Sequence, residues 1–192
     1  MGVKISELTS AGTLAGTEKI PCVDSGTQYT TPADMKRYMS GLAVQTIYTA
    51  DSAAASGSTT TPYDNTIPQN TEGNQFLSAT ITPTNASNII EIEAELMLCE
   101  NSNTGDVVTV ALFQDSTADA LKAVSGTKEQ GLFADMVRIF HRMTAGTTSA
   151  TTFKIRAGMD IGQINFNSSA GGATRLYGGV AGSYIKITEI QA

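Results

Sequence analysis

The sequence predicts an all-β protein, a jelly-roll-like β-sandwich preceded by a small N-terminal β-hairpin with a short helix and by an extended linker. Three observations support this fold class. From residue 76 onward, short runs with apolar residues at alternate positions recur, enough for about eight or nine strands. Small polar turns and the paired glycines Gly171-Gly172 and Gly178-Gly179 separate these runs. Hydrophobic residues make up 41% of the chain and charged residues only 16%, which is typical of an ordered protein.

Residues 1–42 are predicted to form a unit of their own. Residues 19–30 have the pattern of two short strands joined by a turn at Ser25-Gly26. A short helix is expected next, because Thr31 can cap it and Pro32 suits its first position. The sequence therefore predicts a hairpin followed by a helix.

Residues 43–75 are predicted to be an extended arm or linker. Its first part, residues 42–49, is expected to be a short alternating strand or an extended arm with Leu42, Val44 and Ile47 as apolar contacts. Ser, Thr, Ala, Asn, Gly and Pro dominate most of this stretch, and Thr61-Pro62 and Ile67-Pro68 interrupt any regular period. A compact domain seldom contains so long an irregular segment, so we expect it to connect the first unit to the sandwich or to wrap across a neighbouring subunit. The sandwich itself is assigned to residues 76–192.

The alternation is clearest in residues 90–98. Apolar residues point to one side of this strand, and the carboxylates of Glu91, Glu93 and Glu95 point to the other. A shift of one residue would bury three carboxylates, so the pattern predicts which face is buried. Residues 132–143 are more densely apolar, which predicts a strand buried on both faces or a strand with a bulge.

Composition and charge exclude several classes of function. The net charge of −6 and the pI near 4.7 argue against a nucleic-acid partner, which would need a stripe of Lys and Arg. No apolar stretch is long enough for a transmembrane helix, so membrane insertion is not expected. The first four residues lead directly into polar sequence, so no export signal is expected.

No catalytic residue, metal site or cofactor is assigned. His141 is the single histidine and is expected to be a strand residue at a sheet edge or subunit contact. The three glutamates of residues 91–95 resemble a solvated stripe more than the facing acid pair of a glycosidase. Cys22 and Cys99 are expected to be small buried hydrophobic residues. A calcium site formed by Asp106, Asp115 and Asp119 is left open.

A surface for ligand contact is assigned to the C-terminal loops. The chain has no tryptophan, which weakens the case for a carbohydrate site built on stacking. The aromatic residues that can still line a shallow site are Tyr63, Phe166, Tyr177 and Tyr184. The residues assigned to a possible distal surface loop are Gly171, Gly172, Arg175 and Tyr177.

Two parts of the chain resemble known phage proteins. The order ISEL, LAGTEKIPCVDSG and YTTPADM resembles the N-terminal segment of many tailed-phage tail-fibre and virion-surface proteins. Those proteins open on the phrases I-S-x-L, G-T-E/D-x-x-P-V and T-x-x-D/E-L, with aliphatic residues where Cys22 and Met35 stand here. The phrases TPTNASNIIEIEAEL, TFKIRAGMDIGQINFN and RLYGGVAGSYIKITEIQ are similar to the C-terminal β-sandwich of small phage fibre and head-decoration proteins.

The resemblance implies a non-enzymatic structural component of a bacteriophage virion, assembled in the host cytoplasm. It implies a homotrimeric tail fibre or spike that docks by its N-terminus and displays the sandwich for adhesion to a host-surface receptor. Baseplate, tail or capsid proteins are the implied partners. The alternative is a capsid decoration or cement protein, or a head fibre, that stabilises the shell, and a depolymerase is a third reading. The docking residues assigned from this resemblance are Ile5, Leu8, Leu14, Ile20, Val23 and Tyr29.

Overall fold

A computed structural model of the chain describes residues 20–22, 28–30, 41–100, 107–127, 134–172 and 174–192. The chain divides into two units, one of residues 1–42 with Gln191 and one of residues 43–190 with Ala192.

The first unit contains the predicted hairpin. Strand β1 (Ile20–Cys22) pairs antiparallel with β2 (Gln28–Thr30), and Pro21 lies opposite Tyr29. The helix expected after Thr31 lies outside the described residues. So do the docking residues Ile5, Leu8, Leu14 and Val23.

The second unit is built from strands joined by turns. In chain order its strands are β3 (Ala43–Asp51), β4 (Ala55–Gly57), β5 (Asn74–Ile81), β6 (Ile89–Glu100), β7 (Val107–Gln114), β8 (Lys122–Thr127), β9 (Asp135–Thr144), β10 (Thr151–Met159), β11 (Ile164–Phe166) and β12 (Ser183–Ile190). A 3-10 turn spans Leu176–Gly179. Within the described ranges, no helix is long and apolar enough to cross a membrane.

These strands form two antiparallel sheets with jelly-roll topology. The four-stranded sheet has the order β5-β10-β7-β8. In the six-stranded sheet, β3-β12-β6 continues to β9, while β11 and β4 extend the sheet beyond the end of β12. The eight strands of six or more residues, numbered in chain order, therefore follow 1-8-3-6 in one sheet and 2-7-4-5 in the other. This is the double Greek key of a jelly roll and confirms the predicted fold class.

The core lies between the two sheets and is formed by the alternate residues that the sequence pattern identified. Strand β6 contributes Ile92 and Leu96, and β10 contributes Phe153 and Ile155, all fully buried. Because successive side chains of a strand point to opposite faces, Glu91, Glu93 and Glu95 of β6 lie on the outer face, as predicted.

Strand β9 corrects the expectation for residues 132–143. It pairs with β6 in one unbroken register over its ten residues, without a bulge. Ile139 faces the core, while Met136 and Phe140 are exposed on the outer face. The dense apolar run therefore reflects hydrophobic side chains on both faces of a strand that is buried on only one.

Residues 43–75 are not a free linker, so the predicted boundary is corrected. Strand β3 pairs with β12 along its whole length, and β4 pairs with β11. Further along, Thr61 N donates to Met159 O at 2.9 Å, and Ala120 N donates to Pro68 O at 3.0 Å. The backbone groups of this segment therefore form hydrogen bonds with residues distant in sequence, which its own sequence pattern does not reveal.

Candidate functional site

The outer face of the six-stranded sheet carries a lattice of ion pairs. Each of the three outward glutamates of β6 faces a basic side chain on a neighbouring strand, as cross-strand pairing dictates. The pairs are Glu91 with Arg142 at 3.4 Å, Glu93 with Lys186 at 2.7 Å, and Glu95 with Arg138. The three carboxylates are only partly exposed, so the predicted solvated stripe is in fact a paired one.

Glu93 is the centre of this lattice. Lys186 donates to one of its oxygens, and Tyr184 Oη donates to the other at 3.1 Å. The hydrogen bond from Lys186 lowers the pKa of Glu93, and the same bond raises the pKa of Lys186. Burial, followed by the hydrogen bond to Glu93, raises the pKa of Tyr184. At neutral pH Glu93 is therefore an anion that holds the hydroxyl group of Tyr184 in place.

An aromatic pair lies beside this anion. The rings of Tyr48 on β3 and Tyr184 on β12 stack with centroids 5.3 Å apart and planes 27° apart. The strand register makes them diagonal neighbours, since Tyr48 lies opposite Lys186 and Tyr184 lies opposite Ala50. Tyr48 remains 60% exposed. The small side chain of Ala50 leaves space next to the stack.

That space is a groove of about 300 Å³. Its floor is formed by outward residues of β3 and β12, and its wall by the segment that precedes β12. The lining residues are Tyr48, Ala50, Asp51, Ser52, Gly179, Val180, Gly182, Ser183 and Tyr184. Its volume is at the lower end of the range for ligand sites.

A buried polar network fixes the wall to the sheet. Asn167 donates through Nδ2 to Asp51 O at 2.8 Å and accepts through Oδ1 from Ser183 Oγ at 2.7 Å. Ser183 Oγ in turn accepts from Met97 N at 2.9 Å. Asn167 and Ser183 are fully buried, so these hydrogen bonds are shielded from water.

The tip of the wall has an unusual backbone. Tyr177, Gly178 and Gly179 have consecutive positive φ angles of 49°, 66° and 94°. The φ angle of Gly179 favours glycine, and a Cβ atom there would lie 2.9 Å from Nη1 of Arg175, whose side chain would have to move. This turn leaves Tyr177 78% exposed and Val180 90% exposed.

The structure places the predicted loop residues next to the groove but not in it. Arg175 and Tyr177 belong to the segment that forms the wall, and Gly172 covers the buried side chain of Asn165. Gly171 and Gly172 have positive φ angles of 91° and 65°, as expected for tight corners.

Of the four aromatic candidates, only Tyr184 lines the groove. Phe166 was assigned wrongly, because it is buried and stacks on Phe76 with ring centroids 4.8 Å apart. Tyr63 is exposed and lies in the segment between β4 and β5. Tyr48 was missed, because the prediction for residues 42–49 named only Leu42, Val44 and Ile47 as contacts.

A second carboxylate site, the inner site, lies on the buried face of the same sheet near the end of β12. Glu189 is fully buried and, among the residues that the structure describes, makes no ion pair. Its Oε1 accepts from Thr84 N and Oγ1 at 2.8 Å, from Asn88 Nδ2 at 2.7 Å and from Asn85 N at 3.3 Å. Its Oε2 accepts from Gln45 Nε2 at 2.6 Å. Burial by itself would raise its pKa, but the hydrogen bonds of Gln45, Asn88 and Thr84 lower the pKa to about 2.

A second cavity, of about 290 Å³, lies on the outer face of the four-stranded sheet. Its cations are already engaged. Lys154 Nζ donates to Asp115 O at 2.7 Å, and Arg156 donates to Glu72 O at 2.7 Å and to Gly73 O at 2.6 Å. These donors already bind backbone oxygens, so they are not available to a ligand in this cavity.

The remaining candidates have separate surroundings. Asp115 accepts from Thr152 N at 2.8 Å and Asp119 from Gln69 at 3.0 Å, while Asp106 lies outside the described residues. In the part of the chain that is described, no group of three or more His, Cys, Asp or Glu residues is placed to hold a metal ion.

The single histidine and one of the two cysteines have the surroundings that the sequence predicts. His141 faces inward on β9 and is half-buried, and burial followed by the charge of Lys122 lowers its pKa. Strand β9 pairs with β6 on one side only within the described ranges, so His141 does lie at a sheet edge. Cys99 is fully buried, as expected of a small hydrophobic residue.

No protein-family model and no curated protein matches the chain. Similar solved structures include the sugar-binding EclA C-terminal domain, with 16% identity, 63% of this chain and 78% of that chain covered, and a TM-score of 0.36. The protein of infectious bursal virus derived T=1 particles has 15% identity, coverage of 96% and 44%, and a TM-score of 0.40. Tailspike protein 4 of bacteriophage CBA120 has 11% identity, coverage of 64% and 18%, and a TM-score of 0.27. The chain thus spans less than half of the bursal virus protein and less than a fifth of the tailspike.

Proposed function

We propose that this protein is a non-enzymatic structural component of a bacteriophage virion, a homotrimeric tail fibre or spike. Residues 1–42 dock it to the particle, and the jelly roll is displayed for adhesion to the host. The observation that carries the proposal is the succession of two units in one chain. A hairpin whose sequence resembles phage docking segments precedes a separate jelly roll.

The surface of the jelly roll supports an adhesive role. The outer face of the six-stranded sheet presents exposed Tyr48, Phe140 and Met136 among ion pairs. Aromatic residues and arginine are enriched at recognition surfaces. Three copies on one fibre would raise the effective concentration of each contact, so weak binding by single copies would add up to firm adhesion.

The arrangement of acids supports a role without catalysis. A glycosidase of the usual kind needs one carboxyl group with a raised pKa to act as an acid. On the outer face the pKa of Glu93 is lowered instead, and at the inner site Glu189 is fully hydrogen-bonded. Release of reducing sugar from host polysaccharide by the purified chain would overturn this part of the proposal.

The proposal is tested by imaging intact particles with gold-labelled serum raised against the full chain. Label on the tail is the expected result. Label spread over the head would replace the tail fibre with a capsid decoration protein or head fibre, and unlabelled particles would exclude a virion component.

Docking and oligomeric state are tested separately. Particles assembled with a Leu8→Asp, Leu14→Asp chain should lose the label, because charge at these apolar positions would oppose burial against a partner. Sedimentation equilibrium should give three times the chain mass of 20.1 kDa. A monomer in solution would contradict the homotrimer.

A further inference from the structure

We propose that the groove between Tyr48, Tyr184 and Val180 binds a neutral pyranose sugar. This inference rests on the proposed function and deepens it, because it assigns host adhesion to one place on the jelly roll and to one class of ligand.

The first argument is the aromatic platform. The apolar C–H face of a pyranose ring packs on an aromatic ring, and Tyr48 offers a ring that is 60% exposed. The ring is held by its stack on Tyr184, whose hydroxyl group donates to Glu93. Because the platform is ordered before the ligand arrives, little conformational entropy is lost on binding.

The second argument is the polar lining. In the described part of the chain, Tyr48 Oη, Ser52 Oγ and Asp51 Oδ2 make no hydrogen bond, whereas Asp51 Oδ1 accepts from Ala53 N at 2.7 Å. Two hydroxyl groups and one carboxylate oxygen thus remain available beside an aromatic ring. A few polar groups of this kind fix the orientation of a hydroxyl-rich ligand in a shallow site.

The third argument is charge. No cation is among the residues that line the groove, since Lys186 is bound by Glu93 and Arg175 packs against Gly179 from outside the lining, and the lining includes the carboxylate of Asp51. An anionic sugar would face this carboxylate with no cation in the lining to offset it, and the chain as a whole carries a net charge of −6. The groove therefore favours a neutral sugar over a sialic or uronic acid.

The fourth argument is the shape of the wall. The turn at Tyr177, Gly178 and Gly179 follows Leu176, whose N donates to Asn167 O at 3.3 Å, and the side chain of Asn167 is in turn bound to Asp51 O and Ser183 Oγ. It holds Val180, which is 90% exposed, at the rim of the groove. A volume of about 300 Å³ suits a short saccharide.

The test is saturation-transfer NMR on the full chain with four probes: methyl glucoside, methyl galactoside, methyl mannoside and N-acetylglucosamine. We expect transfer to the ring protons of at least one probe. Absence of transfer with all four would overturn the inference and leave the imaging test of the virion location unaffected.

Substitutions inside and outside the groove test where the sugar binds. Tyr48→Ala should weaken the binding of the responding sugar about tenfold, because it removes the platform. Ala50→Leu should weaken it as well by filling the groove while every native contact is kept. Tyr63→Ala is the matched control, since Tyr63 is 66% exposed but lies outside the groove. Equal binding by wild type and Tyr48→Ala would overturn the inference.

Discussion

Two carboxylates of the six-stranded sheet are held in opposite ways. At the inner site, on the buried face near the end of β12, Glu189 is surrounded by neutral donors that occupy both of its oxygens. On the outer face, Glu93 is partly exposed and is bound by a cation and a tyrosine. Glu189 therefore stabilises the fold, whereas Glu93 borders the groove proposed to bind a sugar. The inner site has every group satisfied and holds a turn in place, whereas the outer site orients an aromatic ring and leaves neighbouring polar groups open.

The largest effect is expected at the inner site. Glu189→Ala should lower the free energy of unfolding by about 3 kcal/mol, because it empties a fully buried site and removes the acceptor of buried Asn88 and of the part-buried hydrogen bonds from Thr84 and Gln45. Urea denaturation followed by circular dichroism measures the change. A loss below about 1 kcal/mol would show that Glu189 is no more important than a surface carboxylate.

The pH dependence of stability should follow the same residue. The folded-state pKa of Glu189 is about 2, below its ordinary value of 4.5, so its contribution is complete above pH 4.5 and is lost as the pH falls toward 2. The shift corresponds to about 3 kcal/mol of stability. Urea midpoints measured between pH 6 and pH 2 should fall steeply for the wild type and less steeply for Glu189→Gln. Parallel curves would contradict this account.

The groove wall should depend on its buried network. Ser183→Ala removes the partner of Met97 N and of Asn167 Oδ1, so we expect a loss of about 2 kcal/mol in unfolding free energy. Thr188→Ala is a suitable control, because its hydroxyl group makes only an exposed contact with Thr46 on the same sheet. Equal losses in the two variants would show that the wall is not held by this network.

The smallest effect is expected at the outer carboxylate. Glu93→Gln should cost less than about 1 kcal/mol, because the ion pair with Lys186 is partly exposed and is screened by salt. The unfolding free energies of wild type and variant should converge further in high salt. A cost as large as that of Glu189→Ala would remove the distinction between the two sites.

The local parts of the fold were predictable from the sequence. Alternation in residues 90–98 predicted the correct inner and outer faces of β6, and the pattern of residues 19–30 predicted the pairing of β1 with β2. Both depend on neighbours in the chain, namely the two-residue period of a strand and the chemistry of a turn.

The candidate site was predictable only in part, because it depends on pairing between distant strands. Tyr184 was identified as an aromatic candidate, but its partner Tyr48 lies in a stretch whose strand character comes from pairing with β12. Phe166 was misassigned, because a run of three buried residues has no alternation from which to read its direction. The network around Glu189 joins residues more than a hundred positions apart and leaves no local signal.

The pairing of β3 with β12 also constrains how the protein is made. Ile47 lies opposite Ile187. Pairing of these two residues closes a loop of residues 48–186, which contains nearly all of the jelly roll. Such non-local pairing makes folding slow. During translation β3 emerges long before its partner, and its neighbour in the sheet is missing until the ribosome has passed Ile190. We therefore expect the six-stranded sheet to be completed only once β12 has been synthesised, with β3 open to chaperones in the interval.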